Sequence, residues 1–131
     1  MRQFRVARPR HEGPAPRHST RFWEAAEQLV ATSEIVIDRP KGSAHPRVAA
    51  AIYPVAYGYL KGTSAADGEG IDVWVGSLTP RTITGVVCTF DMGKRDAELK
   101  LLLGCTVAET SAIVSFLNKG TMSALLIAKG G

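Results

Sequence analysis

The chain has 131 residues, and it is short of several things, each of which narrows its class. There are only two cysteines, Cys88 and Cys105, both in apolar, strand-like surroundings. That placement suits buried free thiols of a cytoplasmic protein better than a structural disulfide. Neither cysteine makes a metal-ligand pattern with the three histidines. No apolar run approaches the length that spans a bilayer, and the Arg-rich start lacks the apolar stretch of a secretory signal. A membrane partner is therefore not expected. Internal repeats are absent, and 131 residues leave room for one domain and not two.

Acidic residues are scarce at the start. Residues 1–21 hold six arginines against Glu12 alone, whereas the remainder carries ten basic and eleven acidic groups. The formal charge of +4 thus belongs to a tail, and the body is close to neutral. Arg, Pro, Gly and His dominate residues 5–18, which bury too little apolar surface to fold by themselves. The expectation is a flexible basic arm at 1–18 followed by a single domain at 19–131. No aromatic side chains interleave with the basic ones as a stacking platform, so nucleic acid is not the expected partner.

Hydrophobic content of 45% and charged content of 21% are those of an ordinary globular domain. Ser19 or Thr20 reads as the N-cap of a helix to about Ala31, with Phe22, Ala25, Ala26, Leu29 and Val30 on one face. A strand from Glu34 to Asp38 stops at Pro40, which has no N–H to donate. The segment from Ile52 to Leu60 carries Tyr53, Tyr57 and Tyr59 around Pro54 and reads as extended but irregular. Its phenols suit packing with a wet tip, or a hydrogen bond to an anionic ligand. Strands follow at about 71–75, 82–90, 98–103 and 122–128, with a charged hairpin loop from Asp91 to Asp96. Glu98 and Lys100 share parity and face one side of their strand. Thr106 and Glu109 form a capping box for a helix to about Leu117, and Gly120 suits the position after it. This order predicts a small, mainly β (α+β) fold: a mainly antiparallel barrel with two flanking helices.

The most informative stretch is Asp67-Gly68-Glu69-Gly70-Ile71-Asp72, three carboxylates within six residues ahead of a strand. Glycines at 68 and 70 allow positive φ and close backbone approach. Carboxylates converging from one turn repel unless a cation joins them, and hard oxygen donors without His or Cys suit Mg²⁺ or Mn²⁺. A solvated acidic turn is an equally available reading, since Asp and Gly are common in turns for local reasons.

Taken in order, the segments Ile37 to Ser43, Tyr53 to Tyr59, Asp67 to Val73, and the hairpin bearing Asp91 and Asp96 resemble the soluble (family I) inorganic pyrophosphatases. The resemblance implies a five-stranded OB-like barrel, Mg²⁺-dependent hydrolysis of pyrophosphate to two phosphates, and assembly into hexamers. By position it implies metal binding at Asp38, Asp67, Glu69, Asp72, Asp91 and Asp96, and catalytic roles for Glu69, Asp72, Tyr57 and Lys100. Arg47, Tyr57, Lys100 and Lys119 are implied to contact phosphate. Metals bridging the diphosphate oxygens would neutralise their charge and acidify a bound water, while cationic side chains stabilise the leaving phosphate.

The sequence also departs from that pattern. Between Arg47 and Tyr53 stands only Val-Ala-Ala-Ala-Ile, where the family carries a longer insert with a second glutamate and a phosphate-binding arginine. Glu69 replaces the middle aspartate of the turn, Gly70 the proline after it, and Glu98 a lysine, which leaves Lys100 to serve. Three readings follow: an inorganic pyrophosphatase, a hydrolase of a larger diphosphate such as a nucleotide, and a homologue that binds phosphate or metal without turnover, as an assembly or regulatory module.

Overall fold

A computed structural model of the chain describes residues 17–65 and 68–130, with side chains from Ser19 onward. Its elements run α1 (Arg17–Ala31), β1 (Glu34–Arg39), β2 (Ala56–Lys61), β3 (Ile71–Val75), β4 (Ile83–Asp91), β5 (Asp96–Leu103), α2 (Val107–Leu117) and β6 (Met122–Ala128). The mainly β architecture with two flanking helices is the expected one. Three details are corrected. Among the described residues there are six strands and not five, in the order β1-β2-β3-β5-β4-β6, and the β3–β5 pair is parallel while all others are antiparallel. The sheet is open, with β1 and β6 as its edges.

The first two have local causes. Pro54 lies two residues ahead of β2, so from Ala56 onward the chain is free to pair on both sides. Gly58 lets β1 and β2 approach: a Cβ there would stand 1.8 Å from the Val36 carbonyl oxygen. The parallel pair arises because β4 folds back to the outer side of β5, which leaves β5 to meet β3.

Alternation along the strands sorts side chains onto two faces. Val73, Val75, Val86, Leu101 and Leu103 lie on one, where Trp23, Ala26, Leu29 and Val30 of α1 cover them. The covering stripe is therefore shifted from the expected one: Trp23 packs, and Phe22 is exposed. Ser19 and Thr20 lie inside α1, which already includes Arg17, and do not cap it. Glu27 fixes the helix to the sheet by an ion pair with Lys129 at 2.8 Å. Residues 1–16 of the expected arm lie outside the described residues.

The opposite face carries Trp74, Val87 and Leu102, which pack with Ile113 and Leu117 of α2. Full burial of side chains of this size contributes roughly 1.5–3 kcal/mol each. The Thr106–Glu109 capping box is present as expected. Asn118 occupies the C-cap, and Gly120, with φ 61°, lies two residues beyond it. Both cysteines are free, and Cys105 is buried. Burial pushes the Cys105 thiol up to about 11. Among the described residues no helix is long and apolar enough to cross a membrane.

Candidate functional site

The α2-covered face is not covered along its whole length. Where α2 ends, Tyr57, Asp72, Glu98 and Lys100 come together from β2, β3 and β5. Register explains the meeting. Asp72 pairs with Lys100 across the parallel seam, and Tyr57 pairs with Trp74 two residues along β3 from Asp72. Glu98 stands two residues before Lys100 on the same strand and so shares its face.

Lys100 is the centre of the cluster. Only 5% of the residue is exposed, and its ammonium donates to Tyr57 Oη at 2.8 Å, Asp72 Oδ2 at 2.9 Å and Glu98 Oε1 at 2.8 Å. An ammonium has three hydrogens, so these partners satisfy it. The same Nζ lies 5.2 Å from the centre of the Tyr57 ring. Burial disfavours the charged lysine, but the oxygens of Tyr57, Asp72 and Glu98 outweigh it and hold the pKa above its ordinary value. Lys100 is a permanent cation at neutral pH. Burial likewise raises the Tyr57 phenol, with a further push from Asp72 and an opposing pull from Lys100, and it stays neutral.

These groups line one wall of an open cavity of about 650 Å³, which Lys94, Lys119, Asp91 and His45 also border. A second hollow of about 400 Å³ shares Tyr57, Asp91 and Lys94 with it and adds Asp38 and Arg47. Asp38 reaches this hollow through a bulge: β1 slips register against β2 between Ile37 and Arg39, the usual way an edge strand re-aims a side chain. The floor is aromatic. Tyr53, Tyr57, Trp74 and Phe116 pack with ring centres 4.6–5.9 Å apart, and the Trp74 Nε1–H is buried without a partner among the described residues.

Asp91 serves its own loop. Its Oδ1 accepts from Thr121 Oγ1 at 2.8 Å, Gly93 N at 2.9 Å and Lys94 N at 3.3 Å. The Thr121 hydroxyl first, and then the Lys94 amide, hold its pKa below the usual carboxylate value. Asp96 is its register partner across the hairpin, but borders a separate groove of about 640 Å³ with Asp72 and Glu98. Glu69 is exposed in the turn ahead of β3. In that turn Gly68 takes φ 88°, and Gly70 passes so close to Tyr59 that a Cβ would stand 2.8 Å from its ring. Asp67 lies outside the described residues.

No protein-family model matches this sequence. No curated protein matches it either. Solved structures do. An inorganic pyrophosphatase from Coxiella burnetii superposes with a TM-score of 0.52 at 17% identity, over 72% of this chain and 82% of its own. The enzyme from Helicobacter pylori gives 0.54 at 17%, over 72% and 81%. That from Neisseria gonorrhoeae gives 0.54 at 18%, over 68% and 77%. The fold is that of the inorganic pyrophosphatases.

On this pyrophosphatase fold the described candidates divide into three groups. Tyr57, Asp72 and Lys100 touch. Asp91 and Lys119 line the same cavity, with Asp38 and Arg47 in the hollow beside it. Asp96 and Glu69 are drawn into neither hollow. Among the described residues no three Asp, Glu, His or Cys side chains lie close enough together to hold an ion. Asp72 Oδ2 is engaged by Lys100, and Asp91 Oδ1 by three local donors. As they stand, the described residues do not fit a resident metal. Sequence reasoning overlooked Thr121, whose hydroxyl fixes Asp91, and Lys94. Only the parity of Glu98 and Lys100 announced Glu98 as a partner.

Proposed function

We propose that the protein hydrolyses a phosphoanhydride, in the first instance inorganic pyrophosphate taken up as its magnesium complex. The observation that carries this reading is the buried Lys100 ammonium, fixed between Asp72, Glu98 and Tyr57 in the wall of a cavity rimmed by further lysines. Mg²⁺, or Mn²⁺ in its place, would come with the diphosphate, spread its negative charge and acidify an associated water. Lys94, Lys119 and Arg47 supply positive charge for the phosphate oxygens, and the fixed charge of Lys100 adds to that field from the cavity wall without donating to the substrate. Asp72 and Glu69 are the carboxylates assigned to orient the attacking water, and Tyr57 holds Lys100 in place. The cavity has room for a larger diphosphate such as a nucleotide. Cytoplasmic location and a homo-oligomer, hexameric by resemblance, complete the proposal. Phe90, Leu125 and Ile127 remain exposed on the sheet and supply apolar surface for assembly.

The test is phosphate release from pyrophosphate by the purified protein, with and without Mg²⁺, beside Asp72→Asn. Metal-dependent release that falls by about two orders of magnitude in the variant is expected, the usual scale for a lost acid–base or orienting group. Wild-type protein that releases no phosphate above background sinks the hydrolase. One observation favours a second reading, binding of phosphate without turnover: all three hydrogens of Lys100 are already committed within the protein. Under it, phosphate raises the melting temperature by linkage while turnover is absent.

A further inference from the structure

The oxygens around Lys100 are arranged as they would be around a bound cation. Two carboxylates and a phenol, from three different strands, converge on one point at 2.8–2.9 Å. Asp72 and Glu98 retain about a quarter of their side-chain exposure, so their outer edges reach solvent while the point between them does not. Without a positive charge there, two carboxylates would face each other across a largely buried gap, which is strongly unfavourable. The chain supplies that charge itself. We infer that Lys100 is a resident cation, an ammonium that fills a divalent-ion position built from Asp72, Glu98 and the Tyr57 hydroxyl and closes it to metal.

Three features support the assignment. The ammonium has no hydrogen left over, so Lys100 is placed to fill this cradle and not to reach beyond it. Its stem comes from the strand beside Asp72 in the parallel seam, Lys100 opposite Asp72, so the cation arrives by backbone register and needs no loop movement. The ligand set is all oxygen, the chemistry that takes Mg²⁺, Mn²⁺ or a lanthanide once the lysine is gone. Tyr57 and Trp74, with ring centres 4.6 Å apart beside the cradle, would sensitise the luminescence of such an ion. The inference concerns which cation holds Asp72 in the free protein. It stands whether or not the protein turns over pyrophosphate, because a magnesium ion delivered with the substrate is a separate matter.

Two measurements test it. The first uses the wild-type protein: Mn²⁺ is added at up to a few equivalents and NMR signals of the Asp72 and Glu98 carboxyls and the Lys100 ammonium are followed. They are expected to escape paramagnetic broadening, and broadening of these signals at stoichiometric Mn²⁺ would overturn the inference. The second compares Tb³⁺ luminescence, excited through the aromatic side chains, in wild type, Lys100→Met and Lys100→Met/Asp72→Asn. Lys100→Met is expected to bind Tb³⁺ at least tenfold more tightly than wild type, and the added Asp72→Asn to abolish the gain. A folded Lys100→Met protein that binds Tb³⁺ no better than wild type overturns the inference. If Lys100→Met unfolds without metal, Mn²⁺ is expected to restore its circular dichroism, and the wild-type broadening measurement decides in any case.

Discussion

At the scale of single residues the cluster around Lys100 is an arrangement in which each partner has little slack. The Tyr57 hydroxyl takes one of three ammonium hydrogens, and its ring lies under the same charge. Tyr57→Phe keeps the ring and removes the acceptor, leaving a buried charged donor short of one partner. The expected cost is about 1–3 kcal/mol in urea unfolding, with little change in the aromatic packing. The sequence showed part of this. The turn glycines 68 and 70 and the parity of Glu98 with Lys100 were legible, because they depend on local conformation and on a period of two. What stayed hidden was who holds whom. That Asp72 faces a lysine, and that Asp91 is spent on Thr121 and its own loop, depend on pairings 28 and 30 residues apart.

At the scale of elements, α2 is the best-specified piece. Its capping box reaches beyond the helix: Glu109 Oε1 accepts from Thr106 N at 2.8 Å and also from Ser77 N at 3.2 Å, in the loop after β3. Thr106→Ala should cost about 1 kcal/mol, the typical value of an N-cap. Glu109→Ala should cost more, roughly 2 kcal/mol, because it frees the Ser77 amide as well. Burial alone would raise the Glu109 pKa, but the Thr106 and Ser77 amides outweigh it and hold it below the ordinary value. A carboxylate depressed in the folded state stabilises above its unfolded pKa and loses that contribution as pH falls through the folded one. Melting temperatures from pH 7 to pH 3 should therefore converge between wild type and Glu109→Gln at the acid end. Strand β2 shows where element reading failed. Pro54 made the whole tyrosine segment look irregular, although its restriction ended before Ala56. Helix α1 shows the reverse error, since Phe22 and Trp23 are equally apolar and only the packed sheet chooses Trp23.

At the scale of the whole molecule, the sheet is an open strip, and its edges need protection. On β6, a seven-residue strand with no charge and no proline, the Asn118 amide plays the part of a neighbouring strand. Its Oδ1 accepts from Ala124 N at 2.9 Å and its Nδ2 donates to the Ala124 carbonyl at 3.2 Å. Asn118→Ala should uncover that stretch, and light scattering on warming should show earlier association than in wild type, as unprotected apolar edges do. The parallel seam has a different consequence. It joins two halves: α1 with β1 to β3 on one side, and β4 to β6 with α2 on the other. Tyr57 and Asp72 belong to the first half, Glu98, Lys100, Asp91 and Lys119 to the second. The two halves share both hydrophobic faces, and the charges that meet across the seam are likewise inherited from both. A lineage that loses the lysine on β5 leaves Asp72 on β3 facing Glu98 without a counter-charge, and must either neutralise one of them or admit a metal ion, so a change in one half is felt in the other.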